Sequence, residues 1–211
     1  MKPANKMALL GEADWKKFLS SDSDMPPDVF FLVEGEDGRW SRIGAHRVLL
    51  GAISLVFRRK FFGPMKETKE ETEVKDTSPE AFQAMINYIY APRPVLSHIS
   101  CPKILFQLFA LADFYDILPL KTNILNHLWQ FVVINRKKLI YTASIAFSYR
   151  ELYADISTEM LKTCLKVYLE LDETAKNSFP EASVQIVHQL MEFGKSTLQL
   201  SGNLKYVFGE N

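Results

Sequence analysis

Residues 28–57, DVFFLVEGEDGRWSRIGAHRVLLGAISLVF, change their hydrophobic period once, and that change decides the fold. Val29-Phe30-Phe31-Leu32-Val33 is an unbroken apolar run of β-branched and aromatic residues, which predicts a strand covered on both faces. Gly35-Glu36-Asp37-Gly38 supplies turn chemistry, and Trp40 to Ile43 returns as the second strand of a hairpin. From Ala45 onward the spacing becomes three to four, with Leu49 and Ala52 on one arc and Leu50, Ile53 and Phe57 on another. That period belongs to a helix, despite Gly51.

Working outward, residues 8–20 read as a short amphipathic helix carrying Leu10, Trp15, Phe18 and Leu19. The Ser20-Ser21-Asp22-Ser23-Asp24 run and Pro26-Pro27 end it. On the other side Gly63-Pro64 breaks the helical run, and Thr72 to Asp76 is a candidate short strand. Thr77-Ser78-Pro79-Glu80 is a helix start, with Thr77 or Ser78 as cap and Glu80 placed to close a capping box with Thr77. Phe82, Met85, Ile86 and Ile89 share the face that follows.

Ile104 to Tyr115 is apolar nearly all round, the pattern of a helix enclosed by others. Leu118-Pro119 restarts the chain, and Leu120, Ile124, Leu128 and Phe131 stripe the next helix. Beyond Arg136-Lys137-Lys138 the pattern is purely helical: 139–153, 157–171 begun by Ser157, and 181–200 begun by Pro180, with Val184, Val187 and Met191 as apolar positions. The domain reading is a leading segment 1–27, an α+β domain 28–133 and an all-α extension 134–211.

At 211 residues, 47% hydrophobic and 24% charged, the chain can bury a real core. Basic and acidic residues balance at 25 each, so no global field steers it to nucleic acid or an anionic membrane. Arg58-Arg59-Lys60 and Arg136-Lys137-Lys138 read as solvated faces. Cys101 and Cys164 are far apart, with no CxxC and no nearby histidine pair, which argues against a zinc site or a disulfide framework. The longest apolar stretch, Ile104 to Ala112, is too short to span a bilayer. The N-terminus lacks a signal-peptide core, which places the protein in the cytoplasm, with the nucleus also open.

Catalysis finds no support. His46, His98, His127 and His188 have no partner set of metal-site spacing. Gly194-Lys195-Ser196-Thr197 tempts toward a phosphate loop, but Gln189 stands where the first glycine is required, so it reads as a helix break. No metal and no cofactor are expected.

Several separated anchors carry a family resemblance: Asp28-Val29, Ala45-His46-Arg47 with Val48-Leu49-Leu50, Ser54 with Phe57 and Phe61, Ala81-Phe82 leading to Tyr88-Ile89-Tyr90, and Ala112-Asp113-Phe114-Tyr115 with Leu118 and Leu120. In this the chain resembles a BTB/POZ domain, a small sheet flanked by an α-helical core, over roughly residues 28–133. Residues 134–211 resemble a BACK-like helical extension in length and helical character only.

The resemblance implies a homodimer, with Leu10, Trp15, Leu19 and Leu49 at a two-fold interface and Asp28 with Arg47 as a charged pair lining its groove. It further implies that Met65-Lys66-Glu67, with Phe57, Tyr115 and Asp116, docks the N-terminal domain of a cullin scaffold. In that arrangement an apolar anchor is flanked by an orienting charge. The function expected is then a dimeric adaptor bringing an unknown protein substrate to a cullin-RING ubiquitin ligase. The alternative is an oligomerisation module for transcriptional or structural complexes without cullin binding.

Overall fold

The computed structural model describes residues 25–35, 37–64, 66, 68–91 and 99–201. The expected helix over 8–20 lies outside them. The chain forms two compact units, Met1–Ile124 and Leu125–Asn211, the division falling inside one helix.

In the first unit, β1 (Val29–Glu34) is the centre of a three-stranded sheet. It pairs antiparallel with β2 (Trp40–Ala45), Phe31 opposite Ile43, and parallel with β3 (Glu71–Val74), Phe31 opposite Thr72. Gly38, at φ 73°, makes the hairpin turn with a conformation that a side chain would strain. The two faces of β1 are unequal. Val29, Phe31 and Val33 are fully buried, whereas Phe30 and Leu32 are only half-buried, so the run is covered on one face and partly open on the other. On the open face Arg42 lies 3.3 Å from the Phe30 ring centre and pairs with Glu71 at 2.9 Å, a strap from β2 to β3. Both charges of that pair are about half exposed, so it is worth no more than ~1 kcal/mol.

The helical run after Ala45 is two helices rather than one: α1 (Arg47–Ile53) and α2 (Leu55–Phe62). Ser54 divides them. Its backbone is extended and its hydroxyl accepts from Phe57 N, so it caps a new helix instead of continuing the old one. The Arg58 side chain then folds back, its Nε donating to Gly51 O at 2.8 Å and so satisfying a terminal carbonyl of α1.

α3 (Pro79–Tyr90) starts as the sequence signals, with Pro79 in the first turn. Ser78 is the cap, accepting from Ala81 N, and its hydroxyl also donates to Gln107 Oε1. The Thr77 hydroxyl is buried without a partner, so the expected box between Thr77 and Glu80 is not formed. α4 (Pro102–Phe114) is the enclosed helix; Leu105, Phe106, Leu108 and Ala112 are fully buried. Phe31, Phe57, Phe82 and Tyr115 meet ring to ring, the core of this unit.

α5 (Leu118–Ile134) follows, with Leu120, Ile124, Leu128 and Phe131 buried as the stripe requires. The second unit then contains α6 (Leu139–Ser148), α7 (Ala154–Glu170), the short α8 (Glu173–Asn177) and α9 (Val184–Ser201). α7 begins earlier than Ser157, which is fully buried inside it. The buried face of α9 is Leu190, Phe193 and Gly194. Val184 is exposed, and Val187 and Met191 are half-buried. Gly194 does not break the helix. A Cβ there would stand 2.6 Å from Leu165 Cδ2, so the glycine lets α9 approach α7 closely.

Candidate interaction surfaces

Of the expected dimer residues, Leu10, Trp15 and Leu19 lie outside the described residues. Leu49 is half-buried on α1, next to the exposed Val48. Around it α1 and α2 also expose Ile53, Leu55 and Phe62, although Ile53 shares its helical spacing with the buried Leu50 and Phe57. Phe62 lies against Gly51, where a Cβ would be 2.9 Å from its ring, so the absence of a side chain at Gly51 lets α2 fold back on α1.

Asp28 and Arg47 do meet, but not as a buried ion pair. Asp28 is exposed, and its carboxylate accepts from the backbone N of Arg47 at 2.8 Å, where it complements the start of α1. The Arg47 guanidinium turns away, donating to Lys69 O at 2.8 Å and lying 5.4 Å from the Phe61 ring centre. The physical reason is that α1 begins at Arg47, so its unsatisfied backbone N–H is the nearest donor to the carboxylate.

His46 is satisfied on both ring nitrogens. Tyr90 Oη accepts from His46 N, which leaves its own proton for His46 Nδ1, and Nε2–H then donates to Met25 O at 2.9 Å. Burial raises the Tyr90 hydroxyl well above its ordinary range. This histidine fixes the entry to β1 and the end of α3 at one point.

Met65 and Glu67 lie outside the described residues. Phe57 is fully buried, stacked on Phe61 and 4.1 Å from the Tyr115 ring centre, so it offers no surface to a partner. Tyr115 is likewise buried, and burial pushes its hydroxyl up to about 12. Both rings face inward because Ser54 ties the two segments together: its hydroxyl donates to Tyr115 O and accepts from Phe57 N.

Asp116 is exposed and takes the left-handed conformation, φ 53°. It closes α4: Ile117 N donates to Ala112 O at 2.7 Å and Asp116 N to Asp113 O at 3.1 Å, with Ile117 buried beneath. Asp113 also pairs with Lys121. The turn throws two apolar side chains outward, Phe114 at 69% exposure and Leu118 at 65%. Sequence reasoning had fixed on Tyr115 and Asp116; Phe114 was detectable as the residue off the buried arc of Leu111, Ala112 and Tyr115.

Among the described residues no three His, Cys, Asp or Glu side chains gather to hold a metal, and no helix is long and apolar enough to cross a membrane. Cys164 is buried, which raises its thiol to about 12.

The BTB/POZ domain pattern matches residues 19–131, more than half of the chain. The chain is similar to BTB/POZ domain-containing protein 9 of Drosophila melanogaster, 32% identical over 59% of this chain and 16% of that protein. It is also similar to the human protein of that name, 29% identical over 70% of this chain and 24% of that protein. Human BTB/POZ domain-containing protein 3 is 39% identical over 33% of this chain and 13% of that protein. The chain therefore spans less than a quarter of the length of these relatives. Among solved structures, the BTB domain of zebrafish PATZ1 aligns at a TM-score of 0.36 and 21% identity, covering 46% of this chain and 71% of that one.

Proposed function

Because the chain belongs to the BTB/POZ domain family, a family of protein-interaction and oligomerisation modules, we propose that it is a dimeric adaptor that recruits a protein target to a cullin-RING ubiquitin ligase. The observation that carries this reading is the corner between α4 and α5. There a left-handed Asp116 holds Phe114 and Leu118 out into solvent beside the exposed carboxylates of Asp113 and Asp116. Apolar anchors with charges at their rim are what a small docking hot spot needs. The anchors of this surface are Phe114 and Leu118, and Phe57 and Tyr115 hold the corner rigid from inside; the family resemblance adds Met65 and Glu67 to it. Dimerisation through Leu10, Trp15, Leu19 and the exposed side of α1 would place two such corners on one target and raise its effective concentration.

Calorimetry with the N-terminal domain of a cullin tests the reading. Binding at micromolar protein is expected, weakened at least about tenfold by Phe114→Ala with Leu118→Ala and by Met65→Asp with Glu67→Ala. Absence of binding, or binding indifferent to both double substitutions, refutes it.

A further inference from the structure

α5 continues into the second unit, where its stripe of buried residues leaves the opposite face uncovered among the described residues. Trp129 and Val133 are each 40% exposed and Ile134 67%. Trp129 and Val133 are one turn apart and so share a face. With Ile134 the strip runs about one and a half turns, more apolar surface than a solvated helix end needs.

Along α5 and the segment after it the charge is one-signed. Between Asp116 and Glu151 the chain carries no Asp or Glu, while Arg136, Lys137 and Lys138 form the short 3-10 helix directly after α5. Lys166 reaches over from α7 and stands 4.6 Å from the Trp129 ring centre. Arg136 and Lys137 are exposed. The whole chain is neutral, so this is segregation of charge and not a general basic bias. Cations after a helix C-terminus complement its dipole. That role explains neither a cation brought from another helix nor the apolar strip.

We propose that this face of the second unit docks an acidic amphipathic segment of a partner protein. Leu or Phe side chains at helical spacing would lie along Trp129, Val133 and Ile134, with carboxylates facing Arg136, Lys137 and Lys166. Charge complementarity selects this occupant. A single-stranded nucleic acid needs successive aromatic platforms, and Trp129 is the one aromatic on the strip. A bilayer surface needs a broad apolar face, and here the cations sit across the end and over the ring of a narrow one. The inference does not depend on cullin recruitment by the first unit.

The test uses the full chain and a fluorescein-labelled peptide of about 18 residues, Leu at helical spacing and Glu elsewhere, read by anisotropy. Saturable binding with a Kd of about 1–100 µM is expected, weakening between about 50 and about 300 mM salt. Arg136→Glu with Lys137→Glu should weaken it at least about tenfold with the far-ultraviolet circular dichroism unchanged. If that pair disturbs folding, the milder Arg136→Gln with Lys137→Gln should still weaken it severalfold. A peptide with Lys in place of every Glu should not bind wild type. The proposal is overturned if the acidic peptide fails to saturate, if the basic peptide binds as well, or if folded variants bind like wild type. Tighter binding to an oligothymidine or to phosphatidylserine vesicles overturns it too.

Discussion

Ser54→Ala separates the two jobs of one hydroxyl. Ser54 is fully buried; its Oγ caps α2 at Phe57 N and donates to Tyr115 O at the end of α4. Losing a serine cap costs about 0.5–2 kcal/mol. Leaving the Tyr115 carbonyl without that donor in a buried site adds about 1–3 kcal/mol. The two effects share an atom and are not fully additive, so the expected loss is about 3 kcal/mol, or roughly 10 °C in the melting temperature of the first unit. The assay is urea unfolding in a Trp15→Phe, Trp129→Phe background, which leaves Trp40 of β2 as the reporter. Ser148→Ala, which removes an exposed hydroxyl bonded to Ile145 O in the second unit, is the control and should change stability by less than about 0.5 kcal/mol. If Ser54→Ala unfolds within about 0.5 kcal/mol of its parent, the tie between α2 and α4 is not what holds Phe57 and Tyr115 in place.

Four further outcomes follow from the same geometry. Asp116→Gly should be neutral or stabilising by up to about 1 kcal/mol, because glycine adopts φ 53° freely, whereas Asp116→Val should lose about 1–2 kcal/mol; thermal melts of the pair decide it. With a thiol pushed up to about 12, Cys164 should stay inert to a thiol reagent in the native protein while the partly exposed Cys101 reacts. The folded state also holds the Cys164 and Tyr115 protons that the unfolded chain releases near pH 9 and 10, so stability should fall as pH rises from about 9 toward about 12, which urea midpoints across that range would measure. Gly194→Ala gains about 1 kcal/mol of helix propensity but drives a methyl into Leu165, for a net loss of up to about 2 kcal/mol that Leu165→Ala in the same chain should largely remove as a coupling energy.

The hairpin, the α3 start and the enclosed α4 were legible because period and punctuation agree there: Val29 to Val33, Ser78-Pro79, Ile104 to Tyr115. The division at Ser54 was harder to see, since the apolar spacing runs through it; a serine before Leu55-Val56-Phe57 was nonetheless a cap signal. Helical periodicity also says that a residue lies on a face, not which face is inside. It therefore does not show that Val184 on α9 is exposed or that Phe57 is turned inward, whereas the outward Phe114 can be read as the residue off the arc of Leu111, Ala112 and Tyr115. The partner of a charge is less legible still: Asp28 chose a backbone N–H that exists only because α1 begins where it does. Gly194 could not be interpreted without the helix it lies against.

The central strand β1 has a consequence for how the protein is made. One of its edges is closed at once by the hairpin, but the other waits for β3, roughly forty residues later, and translation at about 5–20 residues per second leaves that edge bare for seconds. During that window a nascent chain displays an open row of amide groups beside Phe30 and Leu32, a template for pairing with the wrong neighbour. The strand that finally covers it, Glu71-Thr72-Glu73-Val74, is an outer edge of the sheet among the described residues and bears Glu71 and Glu73, whose carboxylates discourage another strand from adding to it.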